Sequence, residues 1–231
     1  GDLDGVDPSV AAAILTSRCE TIRYDHPRTE RWHDPEDVDV IADIPYLPDG
    51  GYDAAAGQVR GHLLDVYLPH EAAVRMSNVT PVYVDIHGGG FCYGYKELNR
   101  NFNTHLAQQG FAVVSLNYRP APQTDLKGQL ADVQAALRWL KAHLADYPVD
   151  PNAVFITGDS AGGALALLTL AIENSGRAAE AFGIGQASGI GFKGGALVCG
   201  VYSLASPELA AGRGVAYGTE RKNLESTLGP G

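Results

Sequence analysis

From residue 81 onward the chain alternates short β-branched runs with longer helix-forming stretches, and that rhythm limits the folds open to it. Pro81–His87 (PVYVDIH) reads as a strand, followed by a helix with Leu98, Phe102 and Leu106 four apart and closed by Gly110. Phe111–Leu116 (FAVVSL) is a continuous apolar strand of the kind covered on both faces. The next helix carries Leu126, Leu130, Val133, Leu137, Leu140 and Leu144, with Asp125 as its N-cap and Pro148 after its end. Ala153–Thr157 (AVFIT) is a strand, residues 160–174 form an apolar helix, and Gly194–Ser203 (GGALVCGVYS) is a further strand. Strand–helix–strand repeated three times means right-handed crossovers and a mostly parallel sheet flanked by helices, an α/β fold.

Ahead of this region the signal is weaker. Residues 8–22 (PSVAAAILTSRCETI) read as a short helix with Pro8 in its first turn, followed by a polar stretch to about residue 40. A Gly/Ala/Asp loop covers residues 49–57, and His62–Pro69 (HLLDVYLP) alternates as a strand ended by proline.

The totals exclude several classes of function. A formal charge of −10 argues against nucleic acid and anionic membrane surfaces as partners. No run approaches the ~18 apolar residues of a membrane span, and the N-terminus lacks the basic and apolar regions of a signal peptide, so a cytoplasmic location is the expectation. Cys19, Cys92 and Cys199 are too scattered for a disulfide framework or a metal site and read as buried, reduced thiols. The Gly-rich patch at residues 183–195 matches a dinucleotide fingerprint only loosely. Ser188 stands where the third glycine belongs and no clear strand precedes it, so no cofactor and no metal are expected.

Two glycine-flanked motifs carry the chemistry. Gly158–Gly163 (GDSAGG) sits at a strand-to-helix junction, where flanking glycines permit a turn tight enough to present Ser160 as a nucleophile. The helix that follows aims free N–H groups and the positive end of its dipole toward the serine. His87–Gly90 (HGGG) follows another strand and reaches the same carboxyl edge of the sheet, where open α/β folds place their sites. Its bare backbone offers amide donors to a developing oxyanion, and loss of one such donor typically costs ~10²–10³ in rate.

These two motifs, with Leu64–Pro69 (LDVYLP) and Tyr118–Pro122 (YRPAP), resemble the bacterial hormone-sensitive-lipase-like esterases of the α/β-hydrolase fold. The likeness covers residues 40–205, with Pro120 and Gln123 standing where that family has leucine and glutamate. It implies a serine carboxylesterase acting on short-chain acyl esters through an acyl-enzyme on Ser160. The N–H groups of Gly89, Gly90 and Ala161 would hold the oxyanion, and His87 and Gly88 would brace the oxyanion loop. Asp159 would be structural, and neither His105 nor His143, on helices flanking the sheet, would serve as base. Residues 1–45 would form a cap segment and residues 46–231 the hydrolase core. Trp32, Phe91, Tyr93 and Tyr95 are candidate pocket aromatics. A small-molecule ester is the expected partner, with self-association into a homo-oligomer left open.

One feature departs from the family order of serine, acid, histidine. All seven histidines (26, 33, 62, 70, 87, 105 and 143) and every aspartate precede Ser160, leaving Glu173, Glu180, Glu208, Glu220 and Glu225 downstream. Loss of the histidine costs about 10⁶ in kcat in a serine hydrolase. The expectation is therefore a C-terminally incomplete core whose acid and base lie beyond residue 231. The alternatives are a non-catalytic small-molecule-binding protein on a hydrolase scaffold and a base supplied by another chain.

Overall fold

The computed structural model describes residues 3–48, 61–70 and 80–202. Helix α1 (Pro8–Glu30) starts where the Asp7 carboxylate accepts the N–H groups of Ser9 and Val10 at 2.9 and 3.2 Å. It runs eight residues past the expected end at residue 22 and carries Pro27 inside it. The polar stretch that follows is not all loop, because Val38–Pro45 forms strand β1. The 49–57 loop lies outside the described residues.

Strand β2 (Leu63–Pro69) pairs antiparallel with β1 and with β4 (Ala112–Leu116). Strand β3 (Val82–Ile86) lies parallel between β4 and β5 (Val154–Asp159), and β6 (Gly194–Val198) adds in parallel beside β5. The order across the sheet is β1-β2-β4-β3-β5-β6, mostly parallel with an antiparallel pair at one edge. Residues 38–45, counted with the N-terminal segment in the sequence, thus belong to the sheet. The strand expected over Gly194–Ser203 ends at Val198, which is half exposed, and Ser203 lies outside the described residues.

Helices cover both faces. The α3 helix (Leu126–His143) is capped as expected, with the Asp125 carboxylate accepting from Gly128 N–H at 2.9 Å. Its Leu126, Leu130, Val133, Leu137 and Leu140 pack with α4 (Ala161–Asn174) onto Leu64, Val84, Val114 and Ile156, and Leu144 closes this core from a single 3₁₀ turn. A six-residue helix α5 (Gly176–Ala181) continues α4 before the glycine-rich loop.

The other face meets α2 (Arg100–Gln108). Leu98 precedes this helix and Phe102 is 45% exposed, so the stripe at four-residue spacing is not its buried side. Asn103, Thr104 and Ala107 are buried there instead. The reason is the sheet surface beneath, which presents a row of polar side chains. Asp65, Ser115, Asp85 and Thr157 lie in register across β2, β4, β3 and β5, and none exposes more than 2% of its surface. The cysteine expectation also needs correction: Cys92 is buried, but Cys19 and Cys199 are exposed.

Candidate active site

Parallel strands next to one another deliver their following loops to one edge, and β3 and β5 are neighbours. The loop after β3 holds Gly88–Gly90, and the turn after β5 holds Ser160. Ser160 is exposed and has φ +51, a left-handed conformation that a non-glycine residue adopts only under constraint. That constraint is visible on both sides. Ser160 N–H donates to the Val198 carbonyl at 2.9 Å, and the Ser160 carbonyl accepts from Ala164 N–H at 3.2 Å. Gly162 allows helix α4 to press against β3, since a methyl group there would run into the Ile86 carbonyl.

The glycine loop and the serine share one cavity of about 220 Å³, lined by Thr21, Asp25, Gly88, Gly89, Gly90, Leu98, Asn99, Asp159 and Ser160. The approach is close: a Cβ placed on Gly88 would lie 3.2 Å from Ser160 Cβ. Gly89 has φ +130, and its carbonyl accepts from Cys92 and Tyr93 N–H, closing the loop on itself. Ala161 is buried at the first turn of α4.

His87 sits beneath this loop, 1% exposed. Its Nδ1 donates to the Gly88 carbonyl at 2.7 Å, its ring stacks on Tyr118 at 4.3 Å, and the Tyr118 hydroxyl donates to the His87 carbonyl at 2.8 Å. Asp159 likewise faces structure: its Oδ1 accepts from Gly88 N–H at 3.2 Å and from Asn99 Nδ2 at 2.8 Å. His105 and His143 each bond a carbonyl of their own helix, at 2.8 and 3.0 Å, and line neither cavity.

The polar row on the sheet seats the segment that follows the glycine loop. Lys96, with a side chain 2% exposed, bridges Asp65 at 2.8 Å and Asp43 at 2.7 Å, and also pairs with Glu97. Burial alone would push this ammonium down, but the bonds to Asp43, Asp65 and Glu97 hold it above the ordinary lysine range. The Ser115 hydroxyl donates to the Lys96 carbonyl at 2.7 Å. Asp85 receives Asn99 Nδ2 at 3.2 and 3.4 Å. Burial, reinforced by the nearby Asp159 charge, pushes the Asp85 carboxyl up to about 7.

A second cavity of about 430 Å³ adjoins the first across Leu98, lined by Thr29, Trp32, His33, Asp34, Glu97, Arg100 and Asn101. Trp32 is thus a pocket residue, although of the adjoining chamber. Phe91 belongs to the hydrophobic core, and Tyr93 and Tyr95 pack edge to face and line neither cavity. Asp25, Thr21, Asn99 and Asp85 escape motif reading. The one signal for Asp85 is that the fourth residue of each parallel strand β3, β4 and β5 is polar within an apolar run. Among the described residues no group of three or more His, Cys, Asp or Glu suits a metal ion, and no described helix is long and apolar enough to cross a membrane.

Residues 64–188 match the sequence family described as BD-FAE. The chain is 34% identical over 134 residues to the probable carboxylic ester hydrolase LipM of Mycobacterium tuberculosis, 57% of this chain and 30% of that protein. It is 31% identical over 128 residues to esterase LipQ of the same organism, 55% of this chain and 28% of that protein. The crystal structure of esterase B from Lactobacillus rhamnosis (HN001) superposes with a TM-score of 0.80 at 34% identity, covering 95% of this chain and 65% of that one. Esterase B inhibited by a tributyrin phosphonate gives a TM-score of 0.79 at 33% identity, over 96% of this chain and 66% of that one. The chain therefore spans less than a third of the two curated relatives and about two thirds of esterase B.

Proposed function

Because the chain belongs to the BD-FAE family, among the hormone-sensitive-lipase-like esterases of the α/β-hydrolase fold, we propose that it carries the nucleophilic centre of a serine carboxylesterase for short-chain acyl esters. The observation that carries this reading is the exposed Ser160, held at positive φ in the same cavity as three bare glycines.

Ser160 Oγ attacks the ester carbonyl carbon, and the carbonyl π electrons move onto oxygen. That oxygen is held by the N–H groups of Gly89, Gly90 and Ala161, whose placement is fixed before the substrate arrives. Collapse of the tetrahedral intermediate breaks the bond to the alcohol, which leaves with a proton, and an acyl group remains on Ser160. Water then attacks the acyl carbon, releasing the carboxylic acid and restoring the hydroxyl. His87 and Gly88 keep the donor loop in place and take no part in proton transfer. The proton of Ser160 goes to a histidine outside these 231 residues, since all seven of the chain's histidines precede Ser160 and no described one lines its cavity. A cavity of about 220 Å³ suits a short acyl group, and the phosphonate-inhibited esterase B supports the same size class.

Hydrolysis of p-nitrophenyl butyrate by the native-length protein tests this. Ser160→Ala is expected to lower kcat by about 10⁶, and a phosphonate is expected to label the Ser160 peptide in the mass spectrum. Undiminished turnover by the Ser160→Ala variant would overturn the reading. Ester binding by calorimetry with no turnover in the wild type would favour a binding protein on the same scaffold.

A further inference from the structure

Asn99 occupies the N-cap position of α2, where an asparagine side chain ordinarily accepts a backbone N–H of the first turn. It makes no such bond. Its amide turns into the sheet instead, with Nδ2 2.8 Å from Asp159 Oδ1 and 3.2 Å from Asp85 Oδ2. Asp159 Oδ1 also accepts Gly88 N–H. An unbroken chain of polar contacts therefore runs from buried Asp85 through Asn99 and Asp159 to the first glycine of the loop beside Ser160.

The charges explain why an amide belongs there. When both are ionised, as above neutral pH, the two carboxylates on adjacent parallel strands repel each other, and the 1% exposure of Asp85 leaves little solvent to screen them. Both hydrogens of one NH₂ group can be shared between two acceptors, which neither a hydroxyl nor an alkyl side chain can do. With that donor in place, Asp159 can stand beside Gly88 rather than turn away from Asp85.

We propose that Asn99 is a positioning residue for ester hydrolysis: by joining Asp85 to Asp159 it fixes the Gly88 amide, and with it the oxyanion loop, relative to Ser160. This rests on the esterase reading for its catalytic consequence, but its structural half does not. In Asn99→Ala the amide bridge between Asp85 and Asp159 is lost, Asp85 keeps the Asn103 amide, Asp159 is displaced, and the loop loses its anchor. A misplacement of about 1 Å at a reacting centre can cost about 100-fold.

The test uses the native-length protein with p-nitrophenyl butyrate, together with hydrogen exchange at the Gly88 amide. Asn99→Ala is expected to lower kcat about 10- to 100-fold with KM changed less than about threefold, and to speed Gly88 exchange at least about tenfold. Adding Asp85→Asn to Asn99→Ala removes one charge and supplies a new amide beside Asp159. The double variant should recover much of both losses, a rescue that a merely space-filling role for Asn99 would not give. Should Asn99→Ala fail to fold, recovery of a folded, active protein in the double variant makes the same point. Wild-type Gly88 exchange in Asn99→Ala, or a double variant no better than the single, overturns the proposal. If wild type and Ser160→Ala hydrolyse equally, the esterase reading fails, while Gly88 exchange still decides the role of Asn99.

Discussion

Two aspartates are buried on opposite faces of the same sheet and are accommodated in opposite ways. Asp132, on α3, is 3% exposed and takes His62 Nε2, Arg119 N–H, Arg119 Nε and a terminal Arg119 nitrogen, each at 2.9 Å. Asp85, on β3, is 1% exposed and has the amides of Asn99 and Asn103 and the Asp159 carboxylate for company. Burial pushes the Asp132 carboxyl up, but the bonds from His62 and Arg119 outweigh it and leave it below the ordinary range. Burial and the nearby Asp159 charge outweigh the amides of Asn99 and Asn103, and Asp85 rises to about 7. The first arrangement locks Tyr118–Pro122 to the helix layer. The second leaves an electrostatic cost beside the candidate catalytic loop, in keeping with the tendency of perturbed groups to gather at functional sites.

Removing Asp132 should break this contrast most severely. Asp132→Ala leaves Arg119 and His62 without their shared acceptor and is expected to cost about 3–5 kcal/mol in urea unfolding. Asp85→Asn should do the reverse. Folded Asp85 keeps its proton up to about pH 7, whereas the unfolded chain releases it near 3.8, so the folded state binds more protons across that window. Asp85 therefore contributes a fall in stability as pH rises from about 4 to about 7, of at most about 4 kcal/mol. In Asp85→Asn that slope should vanish, as paired urea titrations at pH 5 and pH 8 would show. Asp132 has the opposite sign: its contribution is full above the unfolded value and is lost as pH falls through its lowered folded value. An exposed carboxylate sets the lower end of the scale. Asp7→Ala removes the α1 cap and is expected to cost about 1 kcal/mol, read as a small shift in thermal unfolding.

The features legible in the sequence are those driven by periodicity or by glycine. The α3 stripe, the parallel strands and both glycine motifs follow from patterns that only one local geometry satisfies. Strand β1 was hidden because an edge strand keeps solvent on much of its surface, and Asp39 and Asp43 read as loop residues. The end of α1 was hidden by Pro27, which a long helix here tolerates. The buried side of α2 was missed for a deeper reason. An amphipathic template assumes an apolar partner, yet the sheet face beneath this helix carries Asp65, Ser115 and Asp85 in a row beside Tyr67 and Val113, and the helix buries Asn103 and Thr104 as well as Ala107. Within the site, Ser160 and Gly88–Gly90 carry a sequence signal because strain and close approach demand particular residues. Asn99, Thr21 and Asp25 carry none, because their role depends on which distant segments the fold brings beside them.

Helix α1 meets the rest of the molecule quite differently from the sheet strands. Arg18 donates to the carbonyls of Cys92 and Ala121 at 2.8 and 3.2 Å, and Ile14 packs against those same two residues. One wall of the cavity beside Ser160, Thr21 and Asp25, is thus mounted on a helix held in part through backbone oxygens. A backbone carbonyl is present whatever side chain its residue carries, so these two bonds do not depend on the side chains at positions 92 and 121. Under the proposed esterase reading, ester preference can then be altered through Thr21 and Asp25 on α1 without touching the strands.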